Sequence, residues 1–283
     1  MKDLKDKTIR VLHDKSFIDD PTRIFRAVRF EQRFGFSIEK HTEYLIKHAI
    51  KQEMFHRTEN QRIRDELVLI LKERDPENAV FRMKQLHELR FIHPDLVLKR
   101  AISETFNEIK KCVKWYERTA AGKRHLDIWL IHLMAVLEKL KLEQVEEVIG
   151  KFVLTRSASV RLVSYKAKAG RAIRKLSSPE KMLPSEVYDL LEPLSHEVAL
   201  YVMARTRSKT ARTRIKKFFT EYNGVKLRIK GHDLIAEGAE PGPGYTRILR
   251  QVLCEKLDGK LHAKKDELEY MRKLLNKGKR GKV

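Results

Sequence analysis

Arg23, Arg26, Arg29 and Arg33 recur at intervals of three, three and four residues, directly after Asp19 and Asp20. On a helix those intervals set the guanidinium groups along one side. Like charges so placed repel by about 0.2–0.5 kcal/mol per pair, so the stripe does nothing for the helix's own stability. A polyanion lying along it would reverse the sign. The free N–H groups of a helix start also attract phosphate. The bland alternative is a solvated basic face behind an ordinary aspartate cap, and spacing alone leaves both open.

The element that must carry these residues is a helix running from Asp20 to Phe34. Asp20 stands where an N-cap belongs, and Pro21 suits the first helical position. Ile24, Ala27, Val28 and Phe34 fill the side away from the arginines, and Gly35 sits where a C′ glycine ends a helix. Further helices are expected over Lys40–Gln52, from Glu59-Asn60 through Leu71, and over Asn78–Arg90. In the third of these, Arg62 and Glu66 are four apart and can pair with each other or across to the arginine helix. The run Ile128–Leu137 is apolar nearly all round and reads as a central helix, with His132 as a hydrogen-bonded core histidine. Val225–Ile229 reads as extended, Gly231–Tyr245 as a Gly/Pro loop, and Ile248–Leu257 and Lys264–Leu275 as helices before a basic tail over Asn276–Val283.

The fold class is therefore all-α. The 283 residues suffice for several helical subdomains with real cores. Lysine and arginine number 61 against 39 acidic residues, a net charge of +22, which favours a nucleic-acid partner. No apolar run reaches transmembrane length, so no membrane partner is expected. Cys112 and Cys254 form no Cys-x-x-Cys pair, which suits a reducing cytoplasm and argues against structural zinc. Two basic stretches stand out. One holds Arg156, Arg161, Lys168, Arg171 and Arg174, the other Arg207, Arg212 and Arg214. Such runs are commonly solvated faces; in a chain of this charge they are the candidate contacts to an RNA backbone.

The run Asp19-Asp20-Pro21-Thr22-Arg23-Ile24-Phe25-Arg26-Ala27-Val28-Arg29-Phe30 resembles the neck-helix motif of class II tRNA nucleotidyltransferases, the bacterial CCA-adding and A-adding enzymes and their poly(A) polymerase relatives. Gln61-Arg62-Ile63-Arg64-Asp65-Glu66-Leu67 is similar to their next motif, with Gln61 where the family usually has Glu. Asp3–Leu12 resembles the last strand region of their catalytic head, and Gly231-His232-Asp233-Leu234 with Pro241-Gly242-Pro243-Gly244 resembles their tail. The neck motif is the specific part. The resemblance implies a remnant of the head over residues 1–17, a neck over 18–97, a helical body over 98–220 and a tail over 221–283. It also implies that Ile9–Leu12 is an orphan strand whose partners belong to a head domain, and that the chain is the second half of a longer enzyme or one part of a split one.

The same resemblance implies the residue roles. Asp20 and Arg23 would hydrogen-bond the pairing edge of an incoming ATP or CTP, Arg26 and Arg29 would lie near its triphosphate, and Arg62 and Glu66 would brace the neck helix. A carboxylate accepts from an exocyclic amine and a guanidinium donates to ring nitrogen or carbonyl, so the chemistry is sound. If Asp20 also caps the helix, one oxygen must serve each duty. The expected activity is addition of CMP and AMP, or AMP only, to the 3′ end of tRNA or another RNA. Such transfer uses Mg2+ held by an Asp-x-Asp pair after a Gly-rich turn, and no Asp-x-Asp occurs in this sequence. No catalytic residue, metal site or cofactor is therefore expected in this chain; Mg2+ with ATP or CTP belongs to the complete enzyme, and a separate head chain is a candidate partner. The alternative is a non-catalytic helical RNA-binding protein.

Overall fold

The computed structural model describes residues 2–52, 60–119, 124–239 and 242–280, apart from the side chains of residue 243 and residues 277–280. Among the described residues there are sixteen α-helices and one two-stranded sheet, and no helix is long and apolar enough to cross a membrane. The chain forms two compact units: Met1–Trp115 with His125–Gly170 and His196–Arg205, and Tyr116–Arg124 with Arg171–Ser195 and Thr206–Val283. Each unit draws residues from more than one of the segments expected from sequence.

The first unit opens with α1 (Lys2–Lys5), β1 (Thr8–Ile9), α2 (Ser16–Asp19), α3 (Thr22–Phe34), β2 (Ser37–Ile38) and α4 (Lys40–Lys51). One expectation is corrected here. The N-terminal strand is not an orphan: Thr8 and Ile9 pair in parallel with Ser37 and Ile38. The turn at Gly35 makes this possible. Its left-handed backbone, φ 63°, ends α3 and returns the chain toward β1. Glu31 then fixes the start of β2 by accepting a hydrogen bond from the Ile38 N–H at 3.0 Å.

α3 is the arginine helix, and its first helical residue is Thr22, one later than expected. Ile24, Phe25, Ala27 and Val28 are buried on its inner side. α5 (Asn60–Lys72) packs Ile63, Leu67, Ile70 and Leu71 inward beside it; Glu59 lies outside the described residues. α6 (Pro76–Gln85) stops short of the expected end because His87 takes a left-handed backbone, φ 63°, and a 3-10 turn, Glu88–Phe91, follows. α7 (Ile102–Tyr116) leads to α8 (Ile128–Val136), which is buried over most of its length. His132 of α8 stacks on Phe106 at 5.1 Å and is hydrogen-bonded through Nδ1 to the Leu71 carbonyl at 2.9 Å. Burial outweighs that bond and lowers its pKa, as for a core histidine. α9 (Leu142–Lys151), the start of α10 (Arg156–Leu176) and α12 (His196–Arg205) complete this unit.

The second unit holds α11 (Pro184–Leu191), α13 (Lys209–Lys217), α14 (Gly231–Ala236), α15 (Pro243–Leu257) and α16 (Lys264–Arg280). Ile229, Leu234, Val252, Leu261 and Met271 form one of its cores. Buried Glu267 ties the incoming chain to it, accepting from the Arg228 and Ile229 N–H groups at 2.7 and 3.0 Å and from Lys256 Nζ at 2.6 Å. Three sequence expectations change. Residues 231–236 are a short helix within the expected loop, α15 begins at Pro243 rather than Ile248, and α16 continues to Arg280. Asp233 explains the short helix: its carboxylate accepts from the Lys230 N–H at 2.7 Å and so starts it. Pro241 and residues 281–283 lie outside the described residues.

Candidate functional site

The start of α3 gathers a carboxylate and several cations. Asp20 Oδ1 accepts from the Thr22 N–H at 3.2 Å and from the Thr22 hydroxyl at 2.6 Å. Asp20 Oδ2 accepts from Arg62 Nη2 at 2.9 Å and lies 3.8 Å from Arg23 Nε. One oxygen therefore serves the turn into α3 and the other faces the arginines. Burial by itself raises the Asp20 pKa; the hydrogen bonds from Thr22 and Arg62 and the Arg62 charge outweigh it, and the group stays below the ordinary aspartate value. A carboxylate held ionised in this way is an acceptor only. Arg23 is steadied from the other side by its Nη1 donating to Ser16 Oγ at 2.9 Å, and half its side chain remains exposed.

Beyond this end the ladder divides. Arg26 is exposed, with its guanidinium 6.0 Å from the Phe30 ring. Arg29 turns inward. Its Nη2 is 3.3 Å from Glu66, its Nη1 is 4.0 Å from Glu73, and its side chain is 11% exposed. This separates Arg29, enclosed by carboxylates of α5 and the turn after it, from the exposed Arg26. Arg33 also reaches Glu73, at 3.5 Å, from the exposed side. Arg62 and Glu66 both face α3, Arg62 through Asp20 and Glu66 through Arg29. Gln61, in place of the usual Glu, is exposed.

Sequence reasoning passed over Thr22, Ser16 and Glu73. Thr22 did carry a signal, since a hydroxyl two residues after an aspartate commonly satisfies that carboxylate in a turn. Ser16 and Glu73 are brought in by tertiary packing and carried none.

The RNA-backbone candidates also divide. Arg156, Lys168, Arg171 and Arg174 are exposed on α10, and Arg207 is exposed just before α13. Arg161 is instead enclosed, donating to Asp127 Oδ2 at 2.6 Å and Glu197 Oε1 at 2.8 Å. Arg212 donates to the Thr206 carbonyl at 3.1 Å. Arg214 donates to the carbonyls of Leu176 and Ser178, both at 2.8 Å, and to that of Glu180. Arg161 and Arg214 thus cross-link groups within their own units.

No protein-family model matches the chain. Among curated proteins, the A-adding tRNA nucleotidyltransferase of Geobacter sulfurreducens is 38% identical over 271 residues, covering 94% of this chain and 31% of that protein. The A-adding tRNA nucleotidyltransferase of Halalkalibacterium halodurans is 26% identical, covering 97% of this chain and 61% of that protein. Among solved structures, the Thermotoga maritima CCA-adding enzyme complexed with tRNA superposes with a TM-score of 0.79 at 32% identity, over 97% of this chain and 66% of that one. A CCA-adding enzyme in complex with CTP superposes with a TM-score of 0.81 at 31% identity, over 97% of this chain and 64% of that one. The chain is similar to tRNA nucleotidyltransferases along nearly its whole length. It spans from 31% to 66% of the length of these relatives.

Proposed function

We propose that this chain is the nucleotide-selecting and RNA-gripping part of a tRNA nucleotidyltransferase that adds AMP, or CMP and AMP, to RNA 3′ ends in the cytoplasm. The observation that carries this is the divided carboxylate of Asp20. Oδ1 is taken by Thr22, while Oδ2 faces Arg62 and Arg23 at a half-exposed helix start. An exocyclic amine of ATP or CTP would donate to Oδ2. Arg23 would donate to the adjacent ring nitrogen or carbonyl, reproducing the pairing edge of a complementary base. Arg62, half exposed, can share Oδ2 or swing away at little cost. Arg26 is the ladder member open to a triphosphate, and Arg29 holds α3 against α5. Lys168, Arg171, Arg174, Arg156 and Arg207 are the exposed cations assigned to the tRNA backbone.

Among the described residues, no group of three His, Cys, Asp or Glu side chains is placed to hold a metal ion. The metal-binding carboxylates are assigned to a catalytic head, in the same polypeptide or in a separate chain.

The test is nucleotide choice in the head-containing enzyme. Asp20→Ala and Arg23→Ala are expected to abolish discrimination between ATP and CTP, with the Asp20 change lowering stability by only about 1 kcal/mol. Unchanged discrimination would reject the assignment. Robust incorporation of labelled ATP or CTP into tRNA by this chain with magnesium would reject dependence on a head.

A further inference from the structure

The outer face of α4 carries a set of residues that the bundle does not use. Lys40, His41, Tyr44, Lys47, His48 and Lys51 are all exposed, and their spacing places them on one side of the helix. The opposite side holds Thr42, Ile46 and Ala49, which are fully buried. Three of the outer rings are aligned. His41 and Tyr44 have centroids 6.4 Å apart and planes 17° from parallel; Tyr44 and His48 are 6.0 Å apart at 26°. Tyr44 is 61% exposed. The helix's own carboxylate, Glu43, faces the bundle, where Arg82 Nη2 donates to it at 2.6 Å. It also holds Lys47 at 2.6 Å. At the N-terminal end, His41 Nε2 is 2.9 Å from Asp14 Oδ1, which fixes the first ring.

Aligned aromatic rings flanked by lysines match what unpaired RNA offers. Base faces stack on rings, and the backbone phosphates between them meet the cations. A double helix hides its base faces and fits only the cations. We propose that this face of α4 is a stacking platform for a single-stranded RNA segment, with Tyr44 as its central ring and Lys40 and Lys51 as its flanking phosphate contacts. This deepens the RNA-binding reading above and rests on it.

Fluorescence anisotropy of the full chain with a labelled single-stranded RNA of about eight nucleotides tests the platform. Tyr44→Ala should weaken binding about 5- to 150-fold, the span for losing one stacked base. Tyr44→Phe should stay within about twofold, since the ring is kept. The slope of log K against log salt should be unchanged by Tyr44→Ala, whereas Lys40→Gln with Lys51→Gln should reduce it by about 1.4. Binding of a blunt duplex should ignore Tyr44→Ala. Tyr44 is exposed, so its removal leaves no cavity, and an unaltered melting curve confirms the fold. If Tyr44→Ala binds single strands as the wild type does, the platform is wrong while RNA binding elsewhere stands. If the wild-type chain binds no RNA, both fail.

Discussion

At the start of α3, Asp20, Arg23 and Arg26 face outward; a turn or two further on, Arg29 and Glu31 face inward. The inner group is closed. Arg29 lies between Glu66 and Glu73, and Arg82 donates to Glu31 at 2.8 Å and to Glu43 at 2.6 Å. Each cation there has its carboxylates within the bundle, and what the arrangement does is fix α3 against α5 and α6. The outer group is open. Asp20 keeps one oxygen toward two exposed arginines, and Arg26 rests over a ring. The same residue types, a few positions apart on one helix, thus serve packing on one side and remain available to an anionic ligand on the other. Spacing announces the stripe; the neighbouring helix decides which members are used up.

The sharpest way to break this contrast is to remove one arginine from each group. Arg29→Ala leaves Glu66 and Glu73 facing a partly dehydrated gap and should destabilise the first unit by about 3 kcal/mol. Arg26→Ala removes an exposed side chain and should cost less than about 0.5 kcal/mol. Urea unfolding of the two variants gives the comparison. Equal losses would mean that inner and outer arginines are not distinct classes.

A second test probes the inner group by pH. Glu88 is fully buried beside it, and neither of its carboxylate oxygens has a hydrogen-bond partner among the described residues. Burial raises its pKa to about 8, with Arg82 opposing and Glu31 adding to the rise. The folded protein therefore keeps a proton that the unfolded chain releases above its ordinary glutamate value of 4.5. Below that value the group does not affect stability. As pH rises toward about 8, the folded state loses on the order of 1 kcal/mol per unit relative to the unfolded one. Above about 8 the loss levels off. Glu88→Gln removes this dependence, so its stability relative to wild type should climb between pH 5 and pH 8. A difference that stays flat across that range would show Glu88 to be solvated.

How much of this could be read in advance follows from the range of each interaction. The end of α3 at Gly35, the apolar run of α8 and the core role of His132 rest on neighbours within a few residues or on a strong local period, and all were legible. The partner of β1 was not, because Ser37 and Ile38 form a strand too short to show any alternation. The helix at Gly231–Ala236 was hidden by its glycine and by the loop-like composition after it. At the candidate site, the stripe and its aspartate were visible, and so was the pairing of Arg62 and Glu66 toward α3 as one of two options. The inward turn of Arg29 was not, since Glu73 lies in a different element. Arg161 shows the limit most plainly. Its partners Asp127 and Glu197 are 34 and 36 residues away in sequence, so a basic run read by composition counted it as a surface charge.

The smallest expected effects extend the inner-versus-outer distinction to the basic helices. Arg214 donates to three carbonyl groups of its own unit, whereas Lys168 and Arg171 are exposed on α10. If the latter meet tRNA phosphates, Lys168→Gln and Arg171→Gln should each lower the slope of log K against log salt by about 0.9 on duplex regions, with little change in melting. Arg214→Gln should do the reverse, lowering the melting temperature by a few degrees, roughly the loss of one to two hydrogen bonds, while leaving the salt slope alone. A salt titration of tRNA binding beside a thermal melt separates the two. Should Arg214→Gln flatten the salt dependence as the exposed residues do, its carbonyl contacts would have to open when RNA binds, and enclosure in the free protein would no longer mark a cation as structural.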